Sequence, residues 1–231
     1  MVKLSHLPVL GKTEVRGYRL INSKFPPTSL FDDVASAEDF DVLYMAQALT
    51  NPRIQVELGN LSLIPREEIP FGIKGCNYAT GPFTHVNPDG SRFSDGRFGV
   101  LYIADELETA IAEVSYHQTL YWPQVPDLHY DRFVFRGLRC TFNQGGMLDL
   151  SAVPLSDAIY SPDDYSASRG VGIKAREEGV PGLRYCSVRR VGQLCWALMT
   201  PRCVTEVIQT AHFEMVWNKR ITQISKLSAF K

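Results

Sequence analysis

Arg92, Tyr102 and Glu113 stand within residues 90–117, GSRFSDGRFGVLYIADELETAIAEVSYH, a stretch that reads as a turn, a strand and a helix. Their types make one coherent chemistry. An arginine just after a turn can grip a phosphate bidentately, and a tyrosine on a strand can stack on a planar base. A carboxylate bordering an apolar helix face can stabilise a developing cation. Together they describe half of a site for a phosphate-bearing, aromatic substrate that reacts through a cation. Each residue also has a plainer explanation: Arg92 as a surface partner of Asp89 or Asp95, Tyr102 as a core tyrosine, Glu113 as an exposed glutamate paired with His117. Ser187, in the strand sequence Tyr185-Cys186-Ser187-Val188-Arg189, either satisfies backbone groups or orients a carboxylate or ligand hydroxyl. His85 and His117 are possible bases, but no serine or cysteine lies in a nucleophile setting that would make a triad of them.

The elements that must position these residues are legible in outline. Residues 15–20 read as a first strand carrying Arg19, followed by a turn-rich piece with Pro26 and Pro27. Ser36 and Asp39 form an N-cap pattern before Phe40, Leu43, Tyr44 and Ala48 at helical spacing; Pro52 then opens a short second helix closed by Gly59. The prolines and glycines of residues 60–90 predict a long ordered loop ending in the Asn87-Pro88-Asp89-Gly90 turn. Residues 98–104 predict a buried strand. Asp105 with Glu108 predicts a capped helix running to about Leu120, with Leu107, Ala110, Ile111 and Val114 as its apolar stripe and Glu113 at the stripe's edge. Strands follow at 131–136, 138–142 and 147–150, then a helix at about 163–178 closed by Gly179 and Pro181. A hairpin of residues 183–188 and 194–200 and final strands at 204–208 and 212–217 complete the chain. With no repeat, low-complexity segment or flexible linker, one α+β domain is expected, with a helical and loop elaboration over about 29–90.

Composition narrows the function classes. The chain has 231 residues, 45% of them hydrophobic, enough for a full core, and a formal net charge of -1 with pI near 6.5 gives no overall drive toward nucleic acid or anionic membrane. The five cysteines are odd in number and form no C-x-x-C pair, so they read as reduced, mostly buried thiols rather than a disulfide framework or a zinc site. No stretch approaches the ~20 apolar residues of a membrane span, and the N-terminal apolar run is broken by His6 and Pro8, so a soluble, cytoplasmic protein is expected. Gly170-Val171-Gly172-Ile173-Lys174-Ala175 fits G-x-G-x-x-A, yet it lies inside a helical pattern rather than after a strand and lacks the context of a dinucleotide loop. Walker, H-E-x-x-H and G-x-S-x-G motifs are absent from the sequence.

Read together, the motifs resemble those of the RES-domain family, the toxins of Res/Xre toxin and antitoxin pairs. The match runs from Tyr18-Arg19-Leu20 and Phe25-Pro26-Pro27, through Leu49-Thr50-Asn51-Pro52-Arg53, to Ser91-Arg92-Phe93-Ser94-Asp95-Gly96, Val100-Leu101-Tyr102-Ile103-Ala104, Glu108-Thr109-Ala110-Ile111-Ala112-Glu113 and Tyr185-Cys186-Ser187-Val188-Arg189. Cys186 departs from the pattern, which places proline before the serine. The resemblance implies an ADP-ribosyltransferase-like fold with central antiparallel or mixed sheets and a few flanking helices. It implies cleavage of the nicotinamide to ribose bond of NAD, with water or phosphate as acceptor; the alternative is mono-ADP-ribosylation of a protein. By position, Arg92, Tyr102, Glu113 and Ser187 match the active-site residues and Arg19 the early arginine. Glu113 would then stabilise the ribosyl cation, Arg92 and Arg19 would hold the pyrophosphate, Tyr102 would stack on nicotinamide and Ser187 would fix Glu113 or the ribose. NAD is expected as substrate, with no prosthetic group and no metal. The expected partners are an Xre-type antitoxin and a second copy of the chain, without direct nucleic-acid or membrane contact. The position two residues before Glu113, where transferases to protein often carry a second acid, is Ile111, which favours hydrolysis or phosphorolysis.

Overall fold

The computed structural model describes residues 2–24, 38, 39, 42 and 59–227. The helices expected around residues 36–58 lie almost wholly outside that set. Eight strands form one mixed sheet: β1 (Glu14–Asn22), β2 (Leu101–Ala104), β3 (Tyr130–Asn143), β4 (Leu148–Asp149), β5 (Gly182–Cys186), β6 (Leu194–Leu198), β7 (Val204–Asn218) and β8 (Ile221–Leu227). Their order is β4-β5-β6-β2-β1-β3-β7-β8. Among the described strands only β4 and β5 pair in parallel, Asp149 opposite Arg184. Three helices that lie wholly within the described residues flank the sheet: α1 (Cys76–Thr84), α2 (Leu107–Tyr121) and α3 (Ser166–Glu177). The architecture is the expected α+β one.

Side-chain alternation along β2 sorts the core. Leu101 and Ile103 join a cluster with Cys76, Ala79 and Phe83 of α1 and with Leu138, Cys140 and Phe142 of β3. Tyr102 and Ala104 face the other side, with Ala110 of α2 and Val171 and Ala175 of α3. A third cluster packs Leu107, Ile111 and Val114 of α2 against Leu20, Phe135, Phe213, Met215 and Trp217. The predicted apolar stripe of α2 is therefore the face that docks on the sheet, and it fixes where Glu113 can point.

Several boundaries differ from the sequence reading, each for a tertiary reason. Residues 76–84 are helical rather than loop, although Gly81 and Pro82 lie inside. Cys76, Ala79 and Phe83, at i, i+3 and i+7, are buried against the sheet and outweigh the breakers. The strand expected over residues 98–104 begins only at Leu101. Asp105 does not cap α2, whose N-cap is Glu106. Its carboxylate accepts from Glu106 N at 2.8 Å and from Leu194 N at 2.6 Å, tying the start of the helix to β6. The strands expected at 131–136 and 138–142 are one strand, β3. Those at 204–208 and 212–217 are likewise one, β7, and the two pair along most of their length across register shifts near Arg136 and Thr141. β8, which the sequence reading did not separate, pairs with β7 at the sheet edge.

The helix at 166–177 and the β5–β6 hairpin follow their sequence signals closely. Asp164 accepts from Ser166 N and Oγ at the start of α3. Gly179, at φ 69°, turns the chain after it.

Candidate active site

Arg92 is set by a loop with little freedom. Gly90, at φ 78°, closes the turn by donating to Asn87 O at 2.9 Å, and Ser91 N donates to Ser94 O at 2.8 Å. Arg169 of α3 reaches across to Ser91 O at 3.0 Å and Asp89 O at 2.7 Å. The Tyr102 hydroxyl accepts from Phe93 N at 2.9 Å and shares a hydrogen bond with Ser91 Oγ at 2.8 Å. Gly172 lets α3 come this close: a β-carbon there would stand 1.9 Å from Phe93 O. The G-x-G-x-x-A pattern is thus a packing device on a helix, in agreement with its rejection as a dinucleotide loop.

On that loop Arg92 is 7% exposed, so it is no surface arginine. Its Nη1 donates to Ile159 O at 3.1 Å and Ser161 O at 3.0 Å, and its guanidinium lies 4.5 Å from the centre of the Tyr165 ring. Asp95 instead pairs with Arg97. Glu113 does not pair with His117; its Oε1 accepts from Ser187 Oγ at 2.6 Å. Ser187 is buried, and its oxygen also accepts from Arg189 N at 3.2 Å and Arg190 N at 3.1 Å. The loop after β5 is thereby wrapped around the serine. Arg190 completes the frame by reaching Glu106 and, at 3.2 Å, Thr109 Oγ1 at the start of α2.

Burial and neighbouring charges shift the titration of several of these groups. Burial pushes the Tyr102 hydroxyl up to about 12, against the hydrogen bonds of Ser91 and Phe93 and the charge of Arg92. Burial likewise raises Tyr185, which also feels Glu113, Tyr102 and Arg92. Its ring meets Phe93 edge-on at 4.9 Å. His117 is exposed at its surface, yet partial desolvation and then the charges of Arg189 and Arg92 hold its pKa below the ordinary value. Four of the five residues singled out from sequence, Arg92, Tyr102, Glu113 and Ser187, are brought together.

Arg19 joins them only through the backbone. It alternates with Tyr18 and Leu20, which pack with the clusters on the α2 side, so it leaves β1 from the opposite face. Its Nη1 reaches Tyr102 O at 3.2 Å. Burial lowers its pKa, with Cys140 and Tyr102 opposing.

The sequence reading missed Tyr165, Tyr185, Arg169 and Arg189 as members of this cluster. Tyr185 and Ser187 are two apart at the end of β5, the one signal that could have linked that tyrosine to the site. The others come from loops and a helix whose approach is visible only in three dimensions.

Cys186, which stands where the related pattern has proline, donates its N–H to the Tyr160 hydroxyl at 3.3 Å. A proline could not make that bond.

A cavity of about 470 Å³ lies elsewhere, at the far end of α2 among Gln118, Tyr121, Trp122, Leu128 and Phe133, and shares none of these side chains. Among the described residues no cluster of three or more His, Cys, Asp or Glu could hold a metal ion. No described helix is long and apolar enough to cross a membrane. None of the five cysteines is in a disulfide, and Cys76, Cys140 and Cys195 are buried.

Comparison with known proteins places this geometry in a family. The chain is 28% identical over 215 residues to the uncharacterized protein y4oC of Sinorhizobium fredii (strain NBRC 101917 / NGR234), covering 92% of this chain and 86% of that one. Among solved structures it is similar to a chain of the M. tuberculosis MbcT-MbcA toxin-antitoxin complex, at 11% identity and TM-score 0.45, over 86% of this chain and 85% of the other. The RES domain model matches residues 69–218, the span that carries Arg92, Tyr102, Glu113 and Ser187, and the chain therefore belongs to the RES domain family.

Proposed function

We propose that this protein cleaves the bond between nicotinamide and ribose in NAD, passing ADP-ribose to water or phosphate, as a cytoplasmic toxin restrained by a cognate antitoxin. The observation that carries the reading is the 2.6 Å bond from Ser187 Oγ to Glu113 Oε1. It fixes one carboxylate oxygen, while Oε2 takes no hydrogen bond from the described residues and is available to ribose hydroxyls. Nicotinamide in NAD is already cationic and departs without a strong acid, so one carboxylate suffices to stabilise the ribosyl cation. The C–N bond breaks with its electron pair passing to nicotinamide, and the acceptor oxygen then adds to the ribose carbon, a water acceptor giving up its proton to solvent.

The other residues fit supporting roles. Arg92, anchored by Nη1 and backed by Tyr165, directs positive charge toward the substrate's phosphates. The Tyr102 hydroxyl is engaged by the Ser91–Phe93 loop, which leaves its ring as the surface for nicotinamide. Ile111 packs in the apolar cluster with Trp217 and Phe213, so no second acid stands two residues before Glu113 to activate a protein acceptor. This supports hydrolysis or phosphorolysis over transfer to protein. The fold proposed is ADP-ribosyltransferase-like, and the partners proposed are an Xre-type antitoxin and a second copy of the chain.

The test is product analysis with purified, antitoxin-free protein. Nicotinamide should appear with ADP-ribose in phosphate-free buffer, or with ADP-ribose 1″-phosphate when phosphate is supplied. Intact NAD after prolonged incubation with well-folded protein would sink the reading, and label passing from NAD to a protein in lysate would turn it toward transfer.

A further inference from the structure

We infer that Arg189 is a further substrate-binding residue of this site, joining Arg92 to receive the anionic phosphates of the dinucleotide; the inference rests on the NAD reading above. The backbone of Arg189 is fixed at the centre of the site, because its N–H donates to the same Ser187 oxygen that holds Glu113. Its guanidinium carbon stands over the Tyr116 ring, 3.2 Å from the centroid, and Nη2 donates to Pro162 O. Tyr116 sits on α2, three residues beyond Glu113, so the stack lies against the carboxylate's own helix.

Three observations separate Arg189 from an ordinary surface arginine. Its Nε is buried and takes no hydrogen-bond partner, a state that costs free energy until an acceptor arrives. The nearby Asp163 carboxylate is engaged by the Tyr116 hydroxyl, and Arg189 makes no ion pair with any described residue. Arg189 and Arg92 both act on His117, one turn of α2 beyond Glu113. Two guanidiniums from separate loops also hold consecutive carbonyls, Arg92 that of Ser161 and Arg189 that of Pro162. Such a pair suits a pyrophosphate, whose two charges one arginine cannot match.

The position of Arg19 makes a second cation near Arg92 more telling. Arg19 leaves the opposite face of β1 and, among the described residues, hydrogen-bonds the Tyr102 carbonyl alone. Arg189 lies in the loop between Ser187 and the start of β6, where Gly192 adopts φ 86° and Val191 is 86% exposed.

The experiment is calorimetric titration of NAD into the Glu113→Gln protein, which should bind without turnover, alone and combined with Arg189→Ala or Arg189→Lys. Steady-state kinetics of the two Arg189 variants in the otherwise wild-type chain run in parallel. Arg189→Ala should weaken NAD binding about tenfold and raise KM by a similar factor with kcat within about twofold. Arg189→Lys should recover part of the loss, and the Ala variant should show a shallower dependence of affinity on salt. Equal affinity in parent and Ala variant would overturn the inference and leave the NAD reading standing. So would a loss of kcat and thermal stability together with unchanged KM, the mark of a structural clasp. If the wild-type chain neither binds nor consumes NAD, the underlying reading fails, and this inference with it.

Discussion

Glu113 and Ser187 form a donor and acceptor pair whose two members should respond differently to mutation. Glu113→Gln keeps the shape of the side chain and removes the charge that stabilises the ribosyl cation. Turnover should fall on the order of 10²–10³-fold while the melting temperature stays within experimental error. Ser187→Ala deprives the carboxylate of its donor and also strips an acceptor from Arg189 N and Arg190 N. It should lower activity and stability together, the latter by about 1–3 kcal/mol; calorimetry beside an NAD assay separates the two patterns. Tyr102→Phe retains the ring but leaves the Phe93 N–H without its acceptor. It should cost about 1–3 kcal/mol, and an unchanged melt would show that the hydroxyl does not hold the Arg92 loop.

Among the elements, α3 gives the sharpest contrast because its two neighbouring glycines face different surroundings. A β-carbon at Gly172 would stand 1.9 Å from Phe93 O, against backbone that cannot turn aside, whereas at Gly170 nothing lies within 4 Å. Gly172→Ala should push α3 off the Arg92 loop, costing about 1–3 kcal/mol and reducing NAD turnover. Gly170→Ala should stabilise the helix by about 0.5–1 kcal/mol with activity intact. Equal behaviour of the two variants in melting and activity assays would refute the packing role. Asp105 shows the same principle at the head of α2. Its charge and spacing suggested a cap, but an open β6 amide at Leu194 competes for the carboxylate and takes one of its oxygens.

For the whole molecule, pH is the measurable variable, and Asp149 and His117 both act on its acid side. Burial alone would raise the Asp149 pKa, but the Arg184 and Ser151 hydrogen bonds outweigh it and bring the carboxyl below its ordinary 3.8. The pair joins the parallel strands β4 and β5. A depressed carboxylate gives stability that is present above 3.8 and lost as pH falls through the folded value. His117 is also depressed, from 6.5. As pH drops below 6.5 the unfolded chain takes a proton that the folded chain resists, so stability declines until the folded imidazole protonates too. Denaturant titrations across pH should therefore show two separate declines toward acid. His117→Gln should remove the upper one and Asp149→Asn should shrink the lower, to which Asp95, where hydrogen bonds from Arg97 outweigh burial, and Asp164, bonded by Ser166, also contribute; a profile unmoved by either substitution would contradict these assignments.

Local pattern, a property of neighbours in the chain, was enough to read β1, the core of β2, α2 with its apolar stripe, α3 and the β5–β6 hairpin. It also placed Arg92 after its turn and Glu113 at the edge of a buried stripe. The sequence by itself thus determined which elements carry Arg92, Tyr102 and Glu113, because hydrophobic periodicity and turn chemistry are local. Where burial overrides propensity, local reading stops: α1 forms across Gly81 and Pro82, and two predicted pairs of strands fuse into β3 and β7. The site's contacts were decided by tertiary structure alone. Ser187 meets Glu113 across 74 positions, and Arg92 finds its two carbonyls 67 and 69 positions away. These meetings depend on the sheet order, which inserts β2 between β6 and β1. That order reflects which strands and helices bury the most surface together, a sum over the whole chain that no single stretch contains.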